Sequence, residues 1–316
     1  SLFVELLRRL ERIVRLDDYV YASMGGYPMA DHHRVHRVLV LRRLFSFDED
    51  PETVRRQIFN KPIRECRCVE LTTGEFVGDP DRAYREAGIA NRTGQIVWLD
   101  YTRPRDLGQN IAEFVSLLGS CEHGDVVRVT LNGNERALPG GSPDLSKVAV
   151  LEKRFEWLSG QVGQYIPEDA APSDLTDVGF PKLLSRILHA AAADALGNDA
   201  VRPLSMMRYA DGQQMFAASM IVEDKEVGEA FPLEKLKEWS LISRTWSEIH
   251  PLRIAALTPR ERALIYRLIP SVRSEKLAKD LPFDPFEGAL PPNQVSDHLT
   301  KYHDLLRFYP DIVVLD

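Results

Sequence analysis

Apolar and polar positions along the first two thirds of the chain alternate in a pattern typical of strands separated by helices. Short β-rich runs predict strands at 17–24, 44–47, 64–71, 95–99 and 125–132. Segments of helical length predict helices at 30–41, 51–60, 106–118, 149–160 and 181–196. Strands that alternate with helices form a parallel sheet with helices on both faces. The pattern therefore predicts an α/β domain, in which we expect Asp31 and Asp106 to cap helices.

The segment 1–16 predicts an additional helix at the start of the chain. Its apolar residues fall on one helical face: Phe3, Leu6, Leu7, Leu10, Ile13 and Val14. Arginines and glutamates between them exclude a signal-peptide core and a membrane span. No later segment is apolar for long enough to cross a bilayer. We therefore expect a cytoplasmic protein that does not act at a membrane.

Two β-rich runs, 201–210 and 213–222, flank Asp211-Gly212. An Asp-Gly pair between such runs is a strong signal for a β-hairpin. A dinucleotide-binding Rossmann domain would continue with parallel strands instead. In addition, Gly25-Gly26 is not followed by the spaced third glycine of the dinucleotide fingerprint. Both features disfavour a dinucleotide-dependent oxidoreductase.

From about residue 226 the pattern becomes helical, with proline-rich breaks. Helices are predicted at 233–249, 258–269, 274–281 and 294–309, and a strand at 311–315. We expect two domains, 1–225 and 226–316, the second mainly helical and, in one interpretation, winged-helix-like. Acidic residues in it at least match the basic ones, so a nucleic-acid partner is not favoured. Packing against the first domain or formation of a homodimer is favoured instead.

Composition and candidate metal ligands change this picture little. The 316 residues carry a formal charge of -7, which argues mildly against nucleic-acid binding through the net charge of the whole protein. Three cysteines, an odd and sparse set, indicate reduced thiols in a cytosolic protein. His32 and His36 share a helical face, but no glutamate follows His32 as in the zincin pattern. A polar helix start is the favoured interpretation, and we predict no metal site.

The order of elements from about 17 to 223 resembles the class I S-adenosylmethionine-dependent methyltransferases. In that family a seven-stranded Rossmann-like sheet ends in an antiparallel hairpin, as Asp211-Gly212 predicts here. More narrowly, the stretch 30–60 is similar to bacterial O-methyltransferase-like proteins. The resemblance covers about two thirds of the chain. It implies S-adenosylmethionine as cofactor and an unknown methyl acceptor, with an oxygen acceptor slightly favoured.

The resemblance assigns three groups of residues to the cofactor. In the family, the turn after the first strand lies against the methionine part of the cofactor. An acidic residue after the second strand binds the ribose hydroxyls, and the loop after the third strand approaches the adenine. The residues at these places are Ser23, Met24, Gly25 and Gly26, then Asp48 with Glu49 as a fallback, then Thr73 to Glu75.

The resemblance also implies residues at the acceptor. Asp100-Tyr101-Thr102 follows the fourth strand, the position that faces the transferable methyl group. Asp100 is expected to orient or deprotonate the acceptor, and Tyr101 is expected to line the pocket around the methyl group. Asp31 or His36 is a further candidate for the acceptor pocket. The sequence here is not the Asn/Asp-Pro-Pro-Tyr pattern, so methylation of DNA amino groups is not favoured.

The glycine turn also departs from the family pattern. The usual acidic residue before the glycines is absent, since the segment is Tyr21-Ala22-Ser23, and Tyr27-Pro28-Met29 is inserted before the helix. This departure motivates an alternative hypothesis. In it, the chain is a catalytically inactive methyltransferase-fold protein that binds or regulates a partner, nucleic acid included, through its C-terminal domain.

Overall fold

The chain forms two compact units in the computed structural model. The larger unit is Phe3–Pro251, and the second is Leu252–Asp316 together with Ser1–Leu2. The segment 226–251, expected in the C-terminal domain, is part of the larger unit. The structure describes residues 2–211, 213–224, 226–252, 257–268, 276, 279–286, 295 and 299.

A mixed sheet runs through the larger unit. Its strands in the described residues are β1 Tyr19–Ser23, β2 Arg43–Asp48, β3 Arg67–Glu70, β4 Gly94–Asp100, β5 Val126–Asn132, β6 Val201–Asp211, β7 Gln213–Val222 and β8 Ile249–Leu252. The strand order is β3-β2-β1-β4-β5-β7-β6-β8. The first five strands are parallel, and β7 pairs antiparallel with both β5 and β6. The predicted parallel sheet with a terminal hairpin is confirmed, and β8 makes it one strand larger than predicted.

Helices connect the parallel strands. Other helices precede and follow these strands. In the described residues the helices are α1 Leu2–Leu10, α2 Ala30–Leu39, α3 Pro51–Asn60, α4 Thr73–Gly78, α5 Pro80–Glu86, α6 Leu107–Leu118, α7 Lys147–Val162, α8 Gly179–Leu196 and α9 Pro259–Leu268. The predicted bounds of α3 are confirmed. Pro51 occupies its first turn, and the Asp50 carboxylate accepts from the backbone N–H groups of Glu52 and Thr53.

The sequence interpretation missed α4 and α5. Thr72 and Glu75 form a reciprocal capping box at the start of α4. Asp79 caps α5, and Pro80 follows in its first turn. Two predicted caps were wrong. Met29, not Asp31, precedes α2, and Asp106 makes no side-chain cap bond to α6.

The predicted helix at 233–249 was also wrong. The segment holds a short 3-10 turn at Leu233–Leu236, further turns and the start of β8. Ser243 explains why, because its backbone N–H donates to Leu204 and its hydroxyl accepts from the Met206 N–H. Ser243 in this segment therefore satisfies its polar groups on β6 instead of within a helix.

The second unit has a small apolar core of its own. Ile265 on α9 is fully buried and packs with Leu281, Phe286, Val295 and Leu299. The predicted start of α9 is confirmed, since Thr258 and Glu261 exchange capping hydrogen bonds. The predicted elements at 274–281, 294–309 and 311–315 lie wholly or largely outside the described residues.

The two faces of the sheet differ in polarity. On one face, Val97, Leu99 and Val127 belong to the main apolar core with α6 and α8. On the other, buried polar residues such as Arg128 and Thr130 alternate with them, because successive strand residues point to opposite faces. Phe3 on α1 covers this polar face, with its ring 5.8 Å from the ring of Trp98. No helix in the described part of the chain is long and apolar enough to cross a membrane.

Candidate cofactor and acceptor site

The carboxyl ends of the parallel strands meet at one edge of the sheet, and Met24 joins them. Met24 directly follows β1, and its sulfur lies 3.3 Å from the backbone nitrogen of Asp100 at the end of β4. The same sulfur lies 3.8 Å from the hydroxyl oxygen of Thr73, the first residue of α4. The structure therefore brings together three of the predicted site residues. Ligands of open α/β sheets bind at this edge.

Gly25 and Gly26 differ in their surroundings. Gly25 is buried, and a Cβ atom there would lie 3.0 Å from Cε1 of His32. Gln57 on α3 donates to the Gly25 carbonyl. Gly26 is exposed, and a Cβ there would meet only Pro28, at 3.5 Å. A larger residue at position 25 would therefore crowd the His32 ring, so glycine is required there. At Gly26 the surface of the turn has space for a side chain or a ligand.

The inserted Tyr27-Pro28-Met29 segment is held at both ends. Met29 is fully buried, and its N–H donates to the Gly26 carbonyl over 2.9 Å. The Asn60 side chain donates to the Tyr27 carbonyl at the same distance. Arg56 lies over the Tyr27 ring, 3.3 Å from its centre. The longer loop is therefore anchored to α3.

Asp48 lies where the sequence places it, at the end of β2. It is half-buried, and one carboxylate oxygen accepts from the Asp50 N–H over 2.8 Å. This bond fixes the side chain beside the start of α3. Glu49, the fallback residue, is exposed. Glu75 lies in the first turn of α4 and bonds back to Thr72.

Asp31 forms a compact polar cluster. Its carboxylate accepts from the hydroxyls of Tyr21, at 2.7 Å, and Ser23, at 2.5 Å, and lies 3.1 Å from Nδ1 of His32. Burial opposes ionisation, but the charge of His32 and these hydrogen bonds hold the pKa of Asp31 well below its usual range. Burial and the nearby Asp31 charge raise the pKa of Tyr21. Asp31 is therefore a carboxylate with donors on both oxygens.

His32 is fully buried between α2 and the sheet. Its Nε2 lies 3.0 Å from the Phe45 carbonyl, which only accepts, and its Nδ1 faces the Asp31 carboxylate. Burial alone would lower the pKa of His32, but the Asp31 charge and the two hydrogen bonds raise it. Both ring nitrogens thus face acceptors, which favours the imidazolium form. The resulting ion pair links β1, α2 and β2.

Asp100 lies near a buried cation that the sequence interpretation missed. Asp100 is exposed as a residue, yet desolvation of its carboxyl by the surrounding chain raises its pKa, with a smaller contribution from Asp31. The Arg128 charge and a hydrogen bond from Thr130 oppose that rise. Thr130 lies opposite Asp100 on the neighbouring strand β5. The pKa of Asp100 therefore depends on the balance between desolvation, which raises it, and its neighbours Arg128 and Thr130, which lower it.

Arg128 is 5% exposed and lies on the polar face of β5. Its guanidinium carbon is 5.0 Å from the ring centres of both Phe3 and Trp98, and it donates to the Ser219 hydroxyl over 2.8 Å. Its Nε has no hydrogen-bond partner among the described residues. Burial lowers the pKa of Arg128, and Asp100 partly opposes this. A lone arginine within an apolar strand is the sequence signal that could have identified it.

Tyr101 does not lie with Asp100. Its side chain belongs to the main apolar core, and its hydroxyl donates to the Glu113 carboxylate on α6 over 2.7 Å. Burial and the Glu113 charge raise the pKa of Tyr101. Glu113 is buried and lies 3.7 Å from the position of a Cβ on Gly74. The Thr102 carbonyl accepts from Asn132 at the end of β5.

The three histidines of α2 turn to different partners. His33 bonds to the Asn60 carbonyl and His36 to the Leu41 carbonyl, whereas His32 faces inward. In the described part of the chain, no three His, Cys, Asp or Glu side chains lie together in a way that would hold a metal ion. The three cysteines are free thiols.

The sequence matches one known family over nearly its whole length. The family described as "Putative O-methyltransferase" matches residues 1–315. The chain belongs to this family. The resemblance of the chain to methyltransferases is thereby confirmed. No curated protein matches the sequence.

Several solved structures are similar to part of the chain. N-methyltransferase NodS from Bradyrhizobium japonicum WM9, in complex with S-adenosyl-L-homocysteine, is 9% identical over 70% of this chain and 85% of its own, with a TM-score of 0.38. LepI in complex with S-adenosylmethionine is 10% identical over 69% and 46%, with a TM-score of 0.39. The Methanococcus jannaschii fibrillarin is 8% identical over 66% and 68%, with a TM-score of 0.31. At such scores these similarities say nothing about the chemistry of this chain.

Proposed function

We propose that this methyltransferase binds S-adenosylmethionine across the ends of β1, β2 and β4 and methylates an oxygen acceptor. The observation that carries the proposal is the convergence of Met24, Thr73 and Asp100 at one edge of the sheet. Three loops that follow separate strands meet there, as a ligand-binding edge requires.

The residues at this edge fit the cofactor. Asp48 is a half-buried carboxylate at the end of β2, and one oxygen is already held by the Asp50 N–H. A carboxylate has acceptor sites for further donors, so Asp48 is suited to bind both ribose hydroxyls. Gly26 leaves space for a ligand above the turn after β1. Thr73 at the start of α4 is suited to contact the adenine side.

When bound, S-adenosylmethionine supplies an electrophilic methyl group on a sulfonium centre. The remaining work of the chain is to hold the acceptor oxygen in line and to accept its proton. Asp100 is the residue that we assign to accept this proton, because it lies at the end of β4 beside Met24 and desolvation raises its pKa. The charge of Arg128 opposes this rise.

Two residues expected at the acceptor have other roles in this proposal. The Asp31 carboxylate already accepts from Tyr21, Ser23 and His32, so it positions the start of the glycine turn instead of acting as a base. The Tyr101 hydroxyl donates to Glu113 in the core, so in this proposal Tyr101 fixes the end of β4 against α6. His36 lies on α2 with its Nδ1 held by the Leu41 carbonyl.

The choice of an oxygen acceptor rests on the family description and on the sequence after β4. Asp100-Tyr101-Thr102 lacks the two prolines of the amino-directed pattern. A hydroxyl acceptor must lose a proton during transfer, and a nearby carboxylate base assists only acceptors that do. Asp100 therefore suits a hydroxyl or phenol.

Calorimetric titration with S-adenosylmethionine and S-adenosylhomocysteine tests the cofactor site. We expect saturable binding that Asp48→Ala weakens by about 10- to 100-fold, the effect of losing charge-assisted hydrogen bonds. Glu65→Ala is the matched control, since it removes an exposed carboxylate before β3. Equal binding by both variants would remove Asp48 from the site, and no binding by folded protein would overturn the proposal.

Transfer of a labelled methyl group tests the acceptor class. Panels of phenols, carboxylic acids and amines are compared under the same conditions, with Asp100→Asn as the inactive reference. Transfer to phenols that depends on Asp100 supports the proposal. Preferential transfer to amines would overturn the oxygen acceptor while leaving the cofactor site intact.

A further inference from the structure

A cavity of about 390 Å³ lies along α2. It is lined by Ala30, His33, Arg34, His36, Arg37 and Pro62. No acidic residue lines it, although the chain as a whole carries a formal charge of -7. The lining is therefore a local concentration of positive charge on an acidic protein.

The two arginines carry charge that no described acidic side chain neutralises in an ion pair. Neither Arg34 nor Arg37 forms an ion pair with a described residue. By contrast, Arg55 on the next helix is paired with Glu52. Arg34 is half-buried, which reduces the screening of its charge by solvent. Two unpaired guanidiniums beside one cavity form a site suited to an anion.

The two histidines are held in fixed orientations. Nε2 of His33 lies 2.7 Å from the Asn60 carbonyl, and Nδ1 of His36 lies 2.9 Å from the Leu41 carbonyl. Because carbonyls only accept, those nitrogens carry hydrogen, and the other ring nitrogens remain for a ligand. The rings at the cavity are therefore positioned by the protein before any ligand arrives.

The start of α2 adds to the positive field. Ala30 is the first residue of this helix, and the side chain of Met29, which precedes it, makes no cap hydrogen bond. Free N–H groups and the helix dipole both favour negative charge at this end. The first residue of α2 lines the cavity, so the helix dipole adds to the positive charge of the arginines there.

We propose that this cavity binds the phosphate group of a small phosphorylated ligand. A phosphate monoester carries about -1.5 to -2 charge at neutral pH, which two guanidiniums match, and it presents three acceptor oxygens. Guanidiniums bind phosphate through paired hydrogen bonds. The volume lies within the range of ligand pockets, roughly 300–1,000 Å³, so an organic group can enter with the phosphate. The proposal does not rest on the cofactor site.

Titration of the full chain with phenyl phosphate at physiological ionic strength tests this site. We expect saturable binding that Arg34→Gln/Arg37→Gln weakens by at least about tenfold, through loss of two charge-assisted partners. The matched control is Arg12→Gln/Arg85→Gln, which removes the same charge from exposed positions elsewhere and is expected to bind as the wild type does.

Competition experiments separate this site from others. Saturating S-adenosylhomocysteine is expected to leave phenyl phosphate binding unchanged, and displacement would overturn a separate site. Equal weakening in both double variants would show non-specific attraction and overturn the proposal. A short single-stranded oligonucleotide without a terminal phosphate distinguishes the source of the phosphate. Tighter, Arg34-dependent binding of that oligonucleotide than of phenyl phosphate would overturn the small ligand.

Discussion

The sulfur of Met24 lies 3.3 Å from the backbone nitrogen of Asp100, so one side chain spans the ends of β1 and β4. It also reaches Thr73 at the start of α4. In an open α/β sheet this edge is where ligands bind. Met24 therefore occupies the centre of the proposed cofactor site, and its flexible, unbranched side chain is able to take other rotamers.

Truncation of this side chain is expected to strengthen cofactor binding. Met24→Ala removes atoms that a ligand along the strand ends would have to displace. We expect S-adenosylhomocysteine to bind more tightly by about threefold to tenfold, since displacing packed atoms costs on the order of 1 kcal/mol. Calorimetry measures this directly. Weaker binding in Met24→Ala would show instead that the thioether packs against the ligand.

Alanine substitutions at the two glycines are expected to have opposite consequences. Gly25→Ala places a Cβ 3.0 Å from the buried His32 ring, and such overpacking costs about 1–3 kcal/mol of unfolding free energy. Gly26→Ala meets only Pro28 at 3.5 Å and is expected to leave stability unchanged or slightly raised. Urea denaturation of the two variants is the measurement. A similar loss in both would contradict the assignment of Gly25 to the His32 contact.

Much of the sheet could be predicted from the sequence, because buried parallel strands appear as short apolar runs. Asp48 and Asp100 were located correctly at strand ends for the same reason. The segment 233–249 could not be predicted, since its apolar residues are spaced as in a helix but belong to turns that pack beside β6. Ser243 lies within this segment, but its hydrogen bonds go to β6, which is distant from it in the sequence.

The polar side of the site depends on partners that sequence spacing does not reveal. Asp31 was predicted to cap α2, yet it bonds to Tyr21 and Ser23 on β1 and to its neighbour His32. Arg128 is recognisable as a charge in an apolar strand, but its position between two aromatic rings depends on α1. Such contacts arise from tertiary packing, which local patterns do not encode.

The ion pair between Asp31 and His32 is expected to make stability depend on pH. The lowered pKa of Asp31 contributes stability above its unfolded value, about 3.9, that is lost as pH falls through the folded pKa. The raised pKa of His32 contributes stability that is full below about 6.5 and is lost as pH rises through the folded pKa. The pair therefore stabilises most between these two unfolded values.

Denaturation of Asp31→Asn at pH 5.5, 7 and 9 measures this effect. At the lowest pH we expect a loss of about 3–5 kcal/mol, typical of breaking a buried ion pair, and a smaller loss at the highest. Glu86→Gln is the control, because its partner Arg82 is exposed and such pairs contribute about 0–1 kcal/mol. A loss for Asp31→Asn that is constant across this range would argue against a charged His32.

Arg128 is expected to set the pKa of Asp100 as a positioning residue. Desolvation raises the pKa of Asp100, and the positive charge of Arg128 opposes that rise. Removal of the charge in Arg128→Gln should therefore raise the Asp100 pKa further. A base acts when it is deprotonated, so the acidic limb of the rate profile should move to higher pH in this variant. Asp100→Asn should lower turnover by about 10²–10⁴-fold.

A carbon NMR titration of the Asp100 carboxyl tests this without knowledge of the acceptor, and Asp100→Asn identifies its signal. Ser219→Ala is the matched control, because it removes the hydrogen bond that Arg128 donates and keeps the guanidinium charge. We expect an upward pKa shift in Arg128→Gln and little change in Ser219→Ala. An equal shift in both would mean that Arg128 acts through the packing of β5 against β7 and not through its charge. No shift in either would separate Asp100 from Arg128 altogether, and the proton of the acceptor would then need another base.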